Sequence, residues 1–494
     1  MGMDPLISWF RSHGGAFDDS AMGFSSIKGQ GWGAVALRDL SEGHVLFTIP
    51  RDLTLSTHTC TLPELFGHSE WQKYNLHTGW AGLMLCMMWE EAQGSSSKWS
   101  EYLAFLPTAF DTPMFWSESD LEELKGTSMG ADKIGRDGAE NDYREKVIPA
   151  LRSRPDLFGA DPSTRFYSLA NYHLMGSRIL SRSFLVEKWD GKDEEDDTEG
   201  PDNTTSMDMD VDEPPAVSIP AAEGGTETEE EPLLDGKDSD SDDENDPTDI
   251  AMVPMADMLN ARYESENAKL FYEQRDLRMV TTKAISTGEQ IWNTYGDPPN
   301  SDLLRRYGHV DLIPLAEGGL GNPADIVDIR ADIVVNSVSE LGLSQSPQSS
   351  AERVDWWLEE CDDDGFVLEM NYELPNELIS FVRLLLLPVS EWSKIRVKSR
   401  LPKAKIDDKI LSVAINVLKR RIAEYSTTYE EDERLLSENS VASGLSTNKR
   451  HSVIVRLGEK RILRGALSKV QERLESATSS AAGVKEQSKK KENG

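Results

Sequence analysis

The chemistry in this chain concentrates between Val253 and Val310. Tyr295 leaves the run Ile291-Trp292-Asn293-Thr294 and is followed at once by Gly296. A tyrosine that ends a β-branched and aromatic run, just before a turn-forming glycine, is held where a strand stops and the backbone reverses. That position fixes a hydroxyl rigidly at the floor of a pocket. The same stretch carries Ala256-Asp257-Met258-Leu259-Asn260 upstream and Leu303-Leu304-Arg305-Arg306-Tyr307-Gly308 downstream. Taken singly, each is also what an ordinary strand end or turn looks like. The rest of the chain decides between the two readings.

Two further groups precede that stretch. Gly31-Trp32-Gly33 lies inside the apolar segment Ile27–Leu37. Glycines there let a backbone pass close to a ligand, because no Cβ stands in the way. The segment is not a dinucleotide fingerprint, since no helical pattern opens after it. The spacing of Tyr167, Leu169, Tyr172, Leu174, Ile179 and Leu180 predicts a helix over 166–184, ending in Ser181-Arg182-Ser183-Phe184. Trp80 opens Ala81-Gly82-Leu83-Met84-Leu85-Cys86-Met87-Met88, which is apolar nearly all round. Such a segment is a buried helix and is too short to span a bilayer.

Composition sets bounds on function. The 494 residues are 38% hydrophobic, low enough that part of the chain must stand outside any core. Formal net charge is -35, and 190–249 holds 25 acidic residues against 2 basic ones. Most of the acid excess is therefore one block, read as a disordered insertion. Asp238, Asp240 and Asp242 imitate the start of a calcium loop. Asp243 and Asp249 stand where that loop needs Gly and Glu, so calcium is not expected. Cys60, Cys86 and Cys361 have no metal-ligand spacing, and no metal is expected. An acidic chain is a poor binder of nucleic acid and better suited to a basic protein. No membrane span or signal peptide is seen, which makes a soluble intracellular protein the expectation. No Gly-x-Ser-x-Gly or His-Glu-x-x-His occurs, and the eight histidines are scattered, which argues against a hydrolase.

The motifs Gly31-Trp32-Gly33, Ser181-Arg182-Ser183-Phe184, Ala256–Asn260, Asn293-Thr294-Tyr295-Gly296 and Leu303–Gly308 stand in an order that resembles the SET-domain protein-lysine methyltransferases. The resemblance is to the branch that includes the plant Rubisco large-subunit methyltransferase and fungal ribosomal-protein lysine methyltransferases. Within it, Tyr167–Phe184 and the acidic insert look closest to fungal enzymes acting on a large-subunit ribosomal protein. The resemblance implies an α+β class, a β-rich SET fold with a helical insertion, followed by an all-α substrate-binding domain. The corresponding boundaries are 1–56 and 250–312 for the SET domain, 57–186 for the insertion, 187–249 for the acidic loop, 313–480 for the helical domain and 481–494 for a disordered tail. Helices are expected over 324–341, 353–359, 373–387, 405–424, 428–436 and 448–477.

The resemblance also implies the roles. S-adenosyl-L-methionine is the cofactor and Tyr295 the catalytic tyrosine, orienting the lysine amine and the sulfonium methyl. Carbonyl oxygens near Asn293 make weak C–H···O contacts to that methyl. The backbone of Gly31, Trp32 and Gly33 holds the methionine end, and Arg182 its carboxylate. Asn260 and the backbone of Ala261 hold the ammonium and adenine, and Tyr307 covers the adenosyl part. Trp80, Ser183, Phe184 and Asn293 line the lysine side. The family has Asn-His where this chain has Asn260-Ala261, so any side-chain role of that His is absent. The family also threads its last SET segment through a loop near Asn260. The implied partner is a basic protein, a ribosomal one, met by a monomer in the nucleus or cytoplasm, with Lys489-Lys490-Lys491 as a weak basic cluster. A histone or other nuclear substrate, and a non-catalytic SET-like peptide reader, are the rival readings. A chain cut near Pro314 is expected to keep cofactor binding and lose activity on protein substrates.

Overall fold

The computed structural model describes residues 2–27, 31–159, 161, 164–187, 248–344, 346–361, 365–437 and 444–492. The acidic block, its calcium-like spacing and nearly all of the expected 187–249 loop lie outside the described residues.

The SET part is built from short antiparallel ladders. Strands β1 (Ala16–Phe17), β4 (Val45–Pro50), β8 (Asp276–Thr281) and β7 (Ala268–Tyr272) form one sheet in the order β1-β4-β8-β7. Along β8 the residues alternate, with Leu277, Met279 and Thr281 buried and their neighbours half-exposed, the period-two pattern of a sheet with one face on the core. Strands β2 (Met22–Ile27) and β3 (Gly31–Ala36) make a hairpin paired from Met22–Ala36 to Ile27–Gly31. Strand β5 (Ser183–Glu187) pairs with β6 (Thr248–Met252), so the end of the insertion is tied directly to the segment that enters Val253.

The insertion is helical, as its apolar spacing predicts. The helix Ala81–Gln93 buries every residue from Ala81 to Met88. Gly82 is required there, because a Cβ would stand 2.0 Å from the Leu76 carbonyl oxygen. The helix Leu169–Arg182 packs on it and starts at Ser168, whose hydroxyl accepts from the Asn171 main-chain N–H. These elements share one core with the sheet, including Phe10, Phe47, Leu85, Tyr102 and Met279.

The region after Val310 is helical but not all-α. Strands β9 (Ile313–Pro314) and β10 (Leu320–Gly321) pair, as do β11 (Ile326–Arg330) and β12 (Gly365–Glu369). The single helix expected over 324–341 is thus a strand followed by the helix Ala331–Glu340. Val327 and Ile329 are buried at a spacing of two, while Ile333, Val334 and Val338 follow helical spacing. Two periods run together without punctuation, and one apolar run absorbs both. A long helix, Thr447–Glu492, closes the chain and continues into residues expected to be an irregular tail. Helix makes up 53% and strand 15% of the structure, with the helical region last. Among the described residues no helix is long and apolar enough to cross a membrane, no His, Cys, Asp or Glu group could hold a metal ion, and the cysteines are free.

The two halves are joined by buried charge as well as apolar contact. Val455 of the long helix packs with Trp116, Leu124, Met129 and Leu304. Beside it Arg456 donates to Asp432 at 2.8 Å and pairs with Glu123 of the insertion at 3.1 Å, while Lys460 meets Asp432 at 2.5 Å. Burial alone would raise the Asp432 carboxyl. The bonds from Arg456 and Lys460 more than offset it and hold the group below the usual carboxylate range. Glu459 accepts from the Ser128 main-chain N–H at 2.8 Å, and Arg421 donates to the Gly126 carbonyl at 2.6 Å. Taking one partner from such a buried pair costs on the order of 3–5 kcal/mol. A chain stopped after Pro314 strips all of these at once. Contrary to the expectation from sequence, it should aggregate or melt well below the full chain, as gel filtration and thermal melting would reveal. A soluble truncation with undiminished cofactor affinity would show the interface to be dispensable.

Candidate active site

Three distant stretches meet at Gly33. A Cβ there would lie 2.5 Å from Ile27 Cδ1, 2.8 Å from Gln290 Nε2 and 2.9 Å from Asn260 Nδ2, so a larger residue would displace these three side-chain ends. Asn260 Nδ2 donates to the Trp32 carbonyl at 3.2 Å. The Asn293 main-chain N–H donates to the Asn260 carbonyl at 2.9 Å, and Ala261 and Asn293 form an isolated parallel bridge. Strand β3 is held to the following stretch by the Ile291 N–H on the Ala34 carbonyl at 2.8 Å. Gly31, at φ +77°, opens β3 and Trp32 is partly exposed beside it.

Arg182 ends the Leu169–Arg182 helix and points into the same corner. Its Nη1 donates to the Asp257 carbonyl at 2.6 Å and lies 3.6 Å from Asp257 Oδ2. Tyr102 donates its hydroxyl to the same carboxylate oxygen at 2.9 Å. Burial pushes the Asp257 carboxyl up to about 6, against the pull of Arg182 and Tyr102. Its Oδ1 is buried with no hydrogen-bond partner among the described residues.

Tyr295 stacks on Tyr307, with ring centroids 4.2 Å apart and planes 7° from parallel. Tyr307 is the last residue of the helix Asn300–Tyr307, which stops at Gly308 in the left-handed region. Burial raises the Tyr295 hydroxyl pKa, with Arg182 opposing and Asp257 reinforcing the shift, so the phenol stays neutral near pH 7. A pocket beside the stack is lined by Ala261, Tyr263, Tyr295, Asp297, Leu303, His309, Asp311 and Asn322 among others.

The structure therefore gathers Gly31, Trp32, Gly33, Arg182, Asn260, Ala261, Asn293, Tyr295 and Tyr307 into one region. Ser183 and Phe184 lie at the start of β5, opposite Met252 and Ala251. Trp80 precedes the Ala81–Gln93 helix and packs, half-buried, against the main core. Sequence reasoning gave no role to Asp257 or Tyr102. The signal for Asp257 was a lone carboxylate in an otherwise apolar run. Tyr102 had none, because an aromatic in a helical pattern reads as core.

Comparison with known proteins bears on this arrangement. Residues 348–463 match the Rubisco LSMT substrate-binding family. The chain is 28% identical over 463 residues to the N-lysine methyltransferase SETD6 of Homo sapiens, covering 88% of this chain and 83% of that one. It is 30% identical over 314 residues to ribosomal lysine N-methyltransferase 4 of Saccharomyces cerevisiae, covering 63% of this chain and 54% of that one. Its fold matches the structure of Rubisco LSMT bound to AdoMet with a TM-score of 0.63 at 18% identity, over 96% of this chain and 92% of that one. The chain thus has the fold of the Rubisco LSMT structures and is similar in sequence to N-lysine methyltransferases. The matched Rubisco LSMT structure is bound to AdoMet.

The residues gathered here fit S-adenosylmethionine. Gly33 leaves a cradle that a Cβ would fill, and Arg182 uses only Nη1 among the described residues, which leaves guanidinium donors for a carboxylate. The buried Asp257 gives a test of this electrostatic account. Its folded pKa of about 6 lies above the ordinary carboxylate value, so its contribution to stability is full at low pH and is lost as pH rises through about 6. Unfolding free energy should fall by about 2 kcal/mol between pH 4 and 6.5 relative to Asp257→Asn, measured by denaturant titration. Parallel pH profiles for the two proteins would show that Asp257 is not the buried carboxyl inferred.

Proposed function

We propose that this chain is an S-adenosylmethionine-dependent protein-lysine methyltransferase and that it modifies a lysine of a basic protein, a ribosomal protein of the large subunit. One support is the name of the Saccharomyces cerevisiae relative, a ribosomal lysine N-methyltransferase. The other is electrostatic. The pocket beside Tyr295 is lined by Asp297 and Asp311. Burial raises the Asp297 carboxyl, and the charges of Glu266, Glu264 and Asp311 add to that rise. Carboxylates that repel one another at a pocket edge favour an incoming lysine-rich segment.

The observation that carries the catalytic reading is the Tyr295–Tyr307 stack, which fixes a neutral phenol beside that pocket. When bound, S-adenosylmethionine supplies a methyl on a sulfonium, open to in-line attack by a neutral amine. A free lysine amine, with a pKa near ~10.4, is protonated at neutral pH. Lining groups such as Phe184 and Asn293 desolvate it and favour the neutral form. Tyr295 orients the amine, and the remaining acceleration is alignment. Arg182 holds the cofactor carboxylate and the main chain at 31–33 its methionine end. Asn260 and the backbone of Ala261 take the ammonium and adenine, and Tyr307 covers the adenosyl face. Asp257 Oδ1 is an acceptor available to an N–H of either amine.

Labelled methyl transfer onto separated large-subunit ribosomal proteins and onto histones tests the substrate; labelling confined to histones would overturn it. Tyr295→Phe should lower kcat by about a hundredfold or more while calorimetric cofactor affinity stays within about twofold. Activity near wild type would remove Tyr295 from the mechanism. Asp297→Asn keeps the oxygen that accepts from the Glu264 N–H at 3.0 Å. It should raise KM for a basic protein roughly three- to tenfold with kcat little changed, an effect that shrinks with added salt.

A further inference from the structure

The helix that carries Tyr307 is clasped at its first residue by the helical domain. The Asn300 main-chain N–H donates to Asp325 Oδ1 at 2.9 Å. The Asn300 side chain is fully buried, and its Oδ1 accepts from the Asp311 N–H at 2.7 Å while its Nδ2 donates to the Asp311 carbonyl at 3.1 Å. Helix and following turn are thereby closed into one unit, with Tyr307 and His309 between the two tied ends. Behind Asp325 stands Gly458 of the long helix, where a Cβ would lie 2.1 Å from Asp325 Oδ2. Asp325 is itself buried, and a buried carboxyl costs stability unless its bonds are worth the desolvation. The groups it engages are the start of this helix and the turn at Asn322, whose carbonyl accepts from the Asp325 N–H at 3.1 Å. Asn322 Nδ2 in turn donates to the Pro298 carbonyl at 2.9 Å, just ahead of the same helix.

We propose that Asn300 and Asp325, backed by Gly458, are positioning residues for methyl transfer, through which the helical domain sets the place of Tyr307 and, by ring stacking, of Tyr295. A helix capped by a side chain from another domain moves with that domain. The 4.2 Å stack leaves no slack between Tyr307 and Tyr295. The helical domain is then part of the cofactor site as well as a reader of substrate. This inference rests on the reading that Tyr307 covers the cofactor.

The test uses the full chain and calorimetric binding of S-adenosylmethionine, with steady-state kinetics on the protein substrate. Asp325→Ala and Gly458→Ala should each weaken cofactor binding by roughly tenfold and lower kcat, leaving KM for the protein within about twofold. Asp325→Asn keeps an oxygen for the Asn300 N–H and should recover most of the affinity. Should Asp325→Ala give no soluble protein, Gly458→Ala keeps every polar group and decides alone. Variants that fold and bind cofactor as tightly as wild type overturn the proposal, as does a loss confined to melting temperature. Tyr307→Ala is the control: unchanged cofactor affinity there refutes the reading of Tyr307. Weakened affinity in Tyr307→Ala beside normal affinity in Asp325→Ala refutes the clasp alone.

Discussion

The close packing at Gly33 is the constraint from which the site follows. Strand β3 lies between Asn260 and the 288–291 stretch, and the ends of the Ile27, Gln290 and Asn260 side chains crowd the place where a Cβ at residue 33 would stand. A larger residue would push the Asn260 amide aside, at the expense of its bond to the Trp32 carbonyl. Asn293 hangs from Asn260 through a main-chain bond, and Tyr295 follows two residues on. Asn260, seated against Gly33, thus ties the hairpin to the stretch that carries the hydroxyl.

Buried aspartates serve two purposes here, and their surroundings separate them. Asp432 has two cations within bonding distance and is held ionised, a compensated charge that ties the helix Tyr429–Ser437 to the long helix. Asp257 has one cation and one phenol, is half-way to protonation near pH 6, and keeps an unsatisfied oxygen. Of these two, Asp257 is the less compensated, and it is the one beside the chemistry.

Much of this was legible in the residues. Tyr295 before Gly296, Trp32 before Gly33 and Tyr307 before Gly308 all show in sequence, because glycine after an aromatic is a local signal that needs no partner. The all-round apolar helix at 81–93 was equally plain. Strand β11 was not, since Val327 and Ile329 run straight into a helix whose apolar residues hide the change of period. The clasp was illegible for another reason: Asn300, Asp325 and Gly458 gain meaning only from each other. Tyr102 and Asp257 are the same case.

Hydrogen bonds that cross the structure join residues 331 and 333 positions apart, at Ser128–Glu459 and Glu123–Arg456. Such contacts form late, because the loops they close are long and must be paid for in entropy first. The long helix also follows every other piece of the site in the chain. During synthesis the motifs around Tyr295 therefore emerge well before the residues that seat the Tyr307 helix. Measured in time instead of distance, the pocket is the last thing this chain completes, and a nascent chain carries its whole set of catalytic motifs without yet having a site.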